Sequence, residues 1–552
     1  MKKETYTIKI IDLETGEEVA DVLEETDGDC EWGKDDETIF YARMDSAHRP
    51  HELWAHTMGT KPDDDVKLFT ESDELFWLGF GKARSSNYIL MSVGSKETTE
   101  IYILELDGQK PDPSNMILIS PREYGVRYSV QPWLAGKFFI RSNCNGAKNY
   151  QLLICDADDI KNGMGRECWK TIGEFPYESM RTISAMDVFK SHVAVYGRYN
   201  GLTRLWLLSL DVEAPDCVVG ARLVEFEEDA YTVHGSVNKQ FDSHVLRVTY
   251  SSLSQPPATI DLDVISDEKV IIKEKEIPNY DKTLYETRRI ACKARDGTEI
   301  PMSVVYRTDK IDLNLSNPVM LYGYGSYGSC MEPDFAATRL PLLDRGMIYC
   351  IAHIRGGGEM GRYWYEDEGK YTTKLNTFHD FIDCAEYLVN EKWTSPDKLA
   401  INGRSAGGLL MGAVLNMRPD LFAVCIAGVP FVDLMATMCD STIPLTVMEW
   451  EEWGNPNIEK YFDYMMQYSP MDNVTAQDYP ATLVTAGLND PRVAYWECCK
   501  WVAKLRDKKT NDKKLLLKTE MSAGHFSASD RYKYLRERAF EYAFLLNELE
   551  LL

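Results

Sequence analysis

Long apolar runs are missing from this 552-residue chain; stretches such as 423–427 fall far below the ~20 residues that cross a bilayer as a helix. The N-terminus, Met1-Lys2-Lys3-Glu4-Thr5, leads into an alternating segment without an apolar h-region, so no signal peptide is expected. Basic residues are also scarce: 61 Lys and Arg stand against 87 Asp and Glu, a net charge of −26. That balance excludes nucleic acid as an expected partner, because phosphate binding needs a basic face. The thirteen cysteines lack the short paired spacings of a zinc site or disulfide scaffold, and Cys498 and Cys499 are adjacent. Reduced thiols fit best, and with them a soluble, cytoplasmic chain using no metal or cofactor and no membrane.

What is present suffices for a large core, with 44% hydrophobic residues, and the length predicts more than one domain. Thirteen of the acids, with a single Lys, fall between positions 12 and 37, a run that reads as a solvated face.

Up to residue 276 the pattern is one of short strands. Apolar segments at 8–13 (IKIIDL), 53–58, 101–106 (IYILEL), 152–155 and 205–210 (LWLLSL) recur every 45 to 53 residues. Most have another strand-like segment shortly before them. About four strands per repeat at this period predict β-propeller blades, about five plus a partial one in which the chain opens.

From residue 277 to 552 the period changes. A hairpin-like pair at 286–307 turns at Asp296-Gly297. Apolar strands then alternate with amphipathic helices, which predicts a doubly wound, mostly parallel sheet with reactive groups at the strands' carboxyl ends.

Gly403-Arg404-Ser405-Ala406-Gly407 is G-x-S-x-G between a strand (399–402) and a helix (406–417). Glycines there remove side chains that would clash at a sharp strand-to-helix turn, and the helix N-terminus aims N–H groups at a developing oxyanion. Asp490 follows the strand 482–486 and His525 follows 515–520, giving the order Ser, Asp, His of α/β-hydrolases. His525 is then the general base, and Asp490 sets its tautomer. The other eight histidines lack this placement; His353 lies near a strand end but precedes Ser405 and reads as structural. Arg355 to Gly358 lacks the Lys-Ser/Thr ending of a phosphate loop and reads as a turn beside the site.

Seven strings sharpen this: YGYGSYG (322–328), RGGGEMG (355–361), GRSAGG (403–408), VPFVD (429–433), EWEEWGNP (449–456), DPRVAYWE (490–497) and SAGHF (522–526). Together they resemble the prolyl oligopeptidase family of serine peptidases. The resemblance implies a propeller capping an α/β-hydrolase domain, and cleavage of short peptides. It implies that Tyr324 and the Ala406 N–H hold the oxyanion, that Arg492 holds a substrate carbonyl, and that Tyr327 and Phe431 wall the pocket before the cut bond. Glu449 is implied as the acid meeting an Arg or Lys side chain, Glu451 as its companion toward the preceding residue, and Glu332 and Asp334 as further acids. Family members usually carry seven blades after a segment packed on the catalytic domain; here that segment and the first blades are expected to be absent, in a fragment or a shortened form.

Chemically, Met-Glu-Trp-Glu-Glu-Trp at 448–453 interleaves carboxylates with indoles, as a guanidinium pocket requires. An extended segment would put Glu449 and Glu451 on one side and Trp450 on the other; an acidic helix start packed by the two tryptophans is the alternative. The expected function is cleavage of short basic peptides after Arg or Lys. An esterase or thioesterase on the same triad, or an inert interaction module, are the alternatives.

Overall fold

A computed structural model describes residues 5–46, 48–214, 216–228, 230–526 and 530–552. Its first half is five antiparallel sheets in chain order. Four have four strands, running from Trp77–Lys82 to Ile117–Ser120, Tyr128–Pro132 to Lys170–Thr171, Arg181–Val188 to Val218–Leu223, and Thr232–Gly235 to Lys269–Glu274.

The first sheet has five strands because Glu18–Trp32 is one 15-residue strand used twice. Its first part pairs with Tyr6–Ile11 and its second with Thr38–Met44.

Alternation drives the stacking of blades. In the third sheet Phe138 and Ile140 pack toward the second, while Phe139 between them packs toward the fourth. Each inner strand therefore buries both faces, which is why these strands read as continuous apolar runs.

The second half is one eight-stranded sheet. Its strands are β1 (Tyr285–Lys293), β2 (Glu299–Arg307), β3 (Val319–Tyr322), β4 (Ile348–Ala352), β5 (Leu399–Arg404), β6 (Val424–Gly428), β7 (Ala481–Gly487) and β8 (Leu515–Glu520). The spatial order is β1-β2-β4-β3-β5-β6-β7-β8, antiparallel at β1–β2 and β2–β4 and parallel elsewhere. Leu321, Ile401 and Cys425 face helices Leu375–Asn390 and Ala406–Met417. Their neighbours Met320, Ala400 and Val424 face helix Arg531–Glu548 on the other side. Both faces are covered, as a doubly wound sheet requires. Among the described residues no helix is long and apolar enough to cross a membrane.

Polar side chains join the two halves. Lys148 pairs with Asp367 at 2.6 Å, Arg127 with Glu366, Lys370 with Glu97, and Arg198 with Glu332.

Candidate active site

Ser405 lies between β5 and helix Ala406–Met417 with φ 56° and ψ −118°, a strained conformation for a residue bearing a side chain. The turn closes only because its neighbours are bare. A Cβ on Gly403 would lie 2.2 Å from the Gly407 carbonyl oxygen, and one on Gly408 would lie 2.4 Å from Pro430 Cα. The N–H groups of Gly408 and Leu409 donate to the Ser405 carbonyl, so the helix starts at Ala406.

Loops after β7 and β8 bring the partners in. His525 Nε2 is 3.0 Å from Ser405 Oγ, and His525 Nδ1 is 2.7 Å from Asp490 Oδ2. The Asp490 side chain is fully buried, and its other oxygen accepts the N–H groups of Arg492 (2.8 Å) and Val493 (2.9 Å). Those bonds hold the carboxylate toward the imidazole. Arg404 Nη2 donates to the His525 carbonyl at 3.2 Å, tying the histidine loop back to the residue before the serine. A serine hydroxyl with a positioned base and a buried orienting acid can perform acyl transfer.

Tyr324 follows β3, half-buried, its ring against Gly407. Burial, then Tyr322 and the acids Glu452 and Glu449, raise its hydroxyl well above the ordinary phenol range, so it stays a proton donor. Arg492 is exposed, its guanidinium 5.2 Å from the Phe526 ring, which meets His525 edge-on.

A contact path leads from the nucleophile to Glu449. The Phe431 N–H donates to the Ser405 carbonyl at 3.1 Å, and its ring packs 5.7 Å from that of Trp453. Trp453 Nε1 (2.9 Å) and the Tyr327 hydroxyl (2.8 Å) both donate to Glu449 Oε2. The other carboxylate oxygen accepts from Lys96, a propeller residue, at 2.9 Å.

The extended reading of 448–453 is corrected. Leu445, with φ 72°, turns the chain into a helix, Thr446–Trp453. Residues four apart then share a face, which aligns Glu449 with Trp453 and turns Glu451 about 200° away. Glu451, shifted upward by burial and then by Glu97, faces the propeller turn that carries Lys96.

Sequence reasoning missed Glu452, Tyr365 and Lys374. Glu452, fully buried, accepts the Tyr327 N–H at 2.9 Å and the Tyr365 hydroxyl, and so supports Tyr327 at its left-handed φ of 62°. Lys374 donates to the Gly325 carbonyl (2.5 Å) and Ser326 Oγ (2.9 Å); burial lowers its ammonium to about 8. Helical spacing was the available signal for Glu452; nothing comparable marks Tyr365 or Lys374. The Gly-rich loop at 355 backs the same segment, since Thr377 Oγ1 joins the Arg355 and Gly325 carbonyls and Arg355 forks onto buried Asp380.

Glu332 and Asp334 fall elsewhere. Glu332 pairs with Arg198 of the fourth blade and Asp334 with Arg339, so neither joins the cluster around Glu449.

Comparison with known proteins agrees with this geometry. The model of the Prolyl oligopeptidase family matches residues 333–551, and that of the prolyl oligopeptidase N-terminal β-propeller domain matches 2–275. Protease 2 of Moraxella lacunata is 40% identical over 99% of this chain and 76% of its own length. This chain belongs to the prolyl oligopeptidase family. Dipeptidyl aminopeptidase BI of Pseudoxanthomonas mexicana is 38% identical over 99% of the chain and 73% of that protein. The structure of oligopeptidase B from Leishmania major superposes with a TM-score of 0.93 at 44% identity, over 99% of this chain and 76% of that one. Oligopeptidase B from Trypanosoma brucei with covalently bound antipain gives 0.91 at 45%, over 96% and 74%. The protein is a serine peptidase with the propeller and α/β-hydrolase fold of this family.

Proposed function

We propose that this serine peptidase cuts short peptides after Arg or Lys, with Ser405 as nucleophile and Glu449 as the acid that receives the basic side chain. The 3.0 Å approach of His525 Nε2 to Ser405 Oγ, with Asp490 behind it, carries the catalytic part. Ser405 Oγ attacks the scissile carbonyl carbon as its proton passes to His525. Asp490 stabilises the imidazolium so formed. The negative charge moves to the carbonyl oxygen, which the Tyr324 hydroxyl and the Ala406 N–H receive. Collapse breaks the C–N bond, and the leaving amine takes the proton from His525. Water, deprotonated by the same histidine, then hydrolyses the acyl-enzyme.

Arg492, in contact with Phe526 beside His525, would hold a carbonyl of the substrate, while Tyr327 and Phe431 would wall the pocket. Glu449 supports the basic preference because it is a carboxylate fixed by two donors, one of which, Trp453, is in ring contact with Phe431, whose N–H bonds Ser405. An esterase or thioesterase leaves that built acid without a use.

Peptide amides with Arg, Lys, Pro or Phe before the cut bond test the reading. Glu449→Gln keeps shape and removes charge, so Arg cleavage falls by about 10- to 100-fold. A free carboxylate would give more; here the substrate cation replaces an ion pair already made with Lys96. Phe cleavage holds steady. Equal losses on Arg and Phe would refute the assignment of Glu449 and leave a peptidase of other specificity. Running the same peptides with blocked and free amino ends separates internal cleavage from removal of dipeptides.

A further inference from the structure

Lys96 stands in the turn between strands Tyr88–Gly94 and Thr99–Glu105 of the second blade. Its ammonium is 2.9 Å from Glu449 Oε1 and 5.0 Å from the centre of the Tyr327 ring. These are the contacts a substrate cation needs: a carboxylate oxygen and an aromatic face. The turn is held in place. Ser95 Oγ accepts the N–H groups of Glu97 and Thr98, Arg127 Nη1 donates to the Lys96 carbonyl at 2.9 Å, and Glu97 pairs with the buried Lys370. The Lys96 N–H also faces Glu451, so one propeller turn engages two of the three acids of the helix Thr446–Trp453.

We propose that Lys96 is a specificity-determining residue, an internal cation that occupies the site of the substrate's basic side chain and must be displaced by it. The proposal rests on the assignment of Glu449 made above. Side-chain exposures of 23% for Lys96 and 21% for Glu449 leave the pair open to water at one edge, so Lys96 can swing out to solvent without being stranded. While Lys96 is in place, the acid is neutralised and an uncharged side chain can enter beside it. Once Lys96 is removed, the acid stands bare: a basic side chain meets no competitor, and an uncharged one meets an unpaired carboxylate.

The test crosses two positions with two substrates, peptide amides carrying Arg or Phe before the cut bond. Lys96→Met is expected to raise kcat/KM for the Arg peptide by roughly 3- to 30-fold through a lower KM, with no gain on Phe. Lys96→Arg keeps a cation on the acid and shows no such gain. In the double variant with Glu449→Gln the gain disappears. An unchanged or lower ratio of Arg to Phe cleavage in Lys96→Met would overturn the proposal, and so would parallel losses on both peptides, which mark a mere tether between the domains. Failure of the underlying reading looks different. Glu449→Gln alone would then leave Arg cleavage intact, whatever stands at position 96.

Discussion

Tyr327 donates its hydroxyl to Glu449 across 2.8 Å, so one side chain both walls the pocket and fixes its acid. Burial and the Glu449 charge hold that phenol far above its ordinary range, and it stays a donor throughout the working pH. Tyr327→Phe keeps the wall and removes the bond. A hydrogen bond to a charged group contributes about 1.5–3 kcal/mol, so KM for Arg peptides should rise roughly 10- to 100-fold. Phe peptides should be unaffected in steady-state kinetics; a shared rise would mean that the ring, not the bond, matters.

Tyr324 has a different part in the same loop. An oxyanion donor acts mainly in the transition state, so Tyr324→Phe should cut kcat by about 10²–10³ with KM little changed on every peptide. A changed KM at constant kcat would instead place this hydroxyl on the bound substrate.

Ser405 supplies the check on the chemistry itself. Ser405→Ala should abolish labelling by a fluorophosphonate and lower turnover by roughly 10⁶. Circular dichroism should stay native, since alanine removes only the hydroxyl. Labelling at the wild-type rate would place the nucleophile elsewhere.

The triad was legible in the sequence because its signals are local: Ser405, Asp490 and His525 each follow a strand at its carboxyl end, in the chain order this fold imposes. Blade repeats and sheet strands were legible for the same reason, through period and turn chemistry. The acid pocket was legible only in composition. Its backbone was left open between extended and helical because Glu-Trp alternation looks the same in either conformation until Leu445 turns the chain into a helix. Lys96 carried no signal, being 353 positions from Glu449 and brought to it by the docking of the second blade. Glu332 was implied by the family resemblance alone, and the sequence carried no sign of its pairing with Arg198 of the fourth blade.

Lys374 and Glu452 are buried opposite charges that act on each other behind the pocket without direct ion-pair contact, with burial lowering the amine to about 8 and raising the acid. Lys374→Met leaves the Gly325 carbonyl and the Ser326 hydroxyl without their buried donor and Glu452 without its neighbouring cation, so it should cost on the order of 1–3 kcal/mol of stability. Adding Glu452→Gln to that variant should recover part of the loss, because the stranded charge is gone. Denaturant unfolding of Lys374→Met, Glu452→Gln and the double variant measures this, and additive losses would show that the two residues are uncoupled.

Glu497 links the fold to pH. It is 1% exposed and accepts the Asp433 N–H (3.1 Å) and the Thr437 hydroxyl (2.9 Å), bracing the segment that carries Phe431. Burial foremost, and the Asp433 charge beside it, push its carboxyl up from 4.5 to about 7, against the two donated bonds. Lys500 faces the same place but is paired with Asp433. Between those two values the folded protein keeps a proton that the unfolded chain has released. Stability from this group is therefore full below about pH 4.5 and lost as pH rises through about 7, on the order of 3 kcal/mol. Glu497→Gln mimics the protonated acid at every pH. Plotting Tm from pH 5 to 8 should show the wild type falling away from the variant by several degrees, with the gap widening from about pH 5 and levelling off above about pH 7. Arg cleavage should lose activity over the same range in the wild type alone, if a charged Glu497 loosens the wall that bonds Ser405. Parallel Tm curves would mean that Glu497 ionises in the folded state as readily as in the unfolded one, and the pH response would then have to come from other groups.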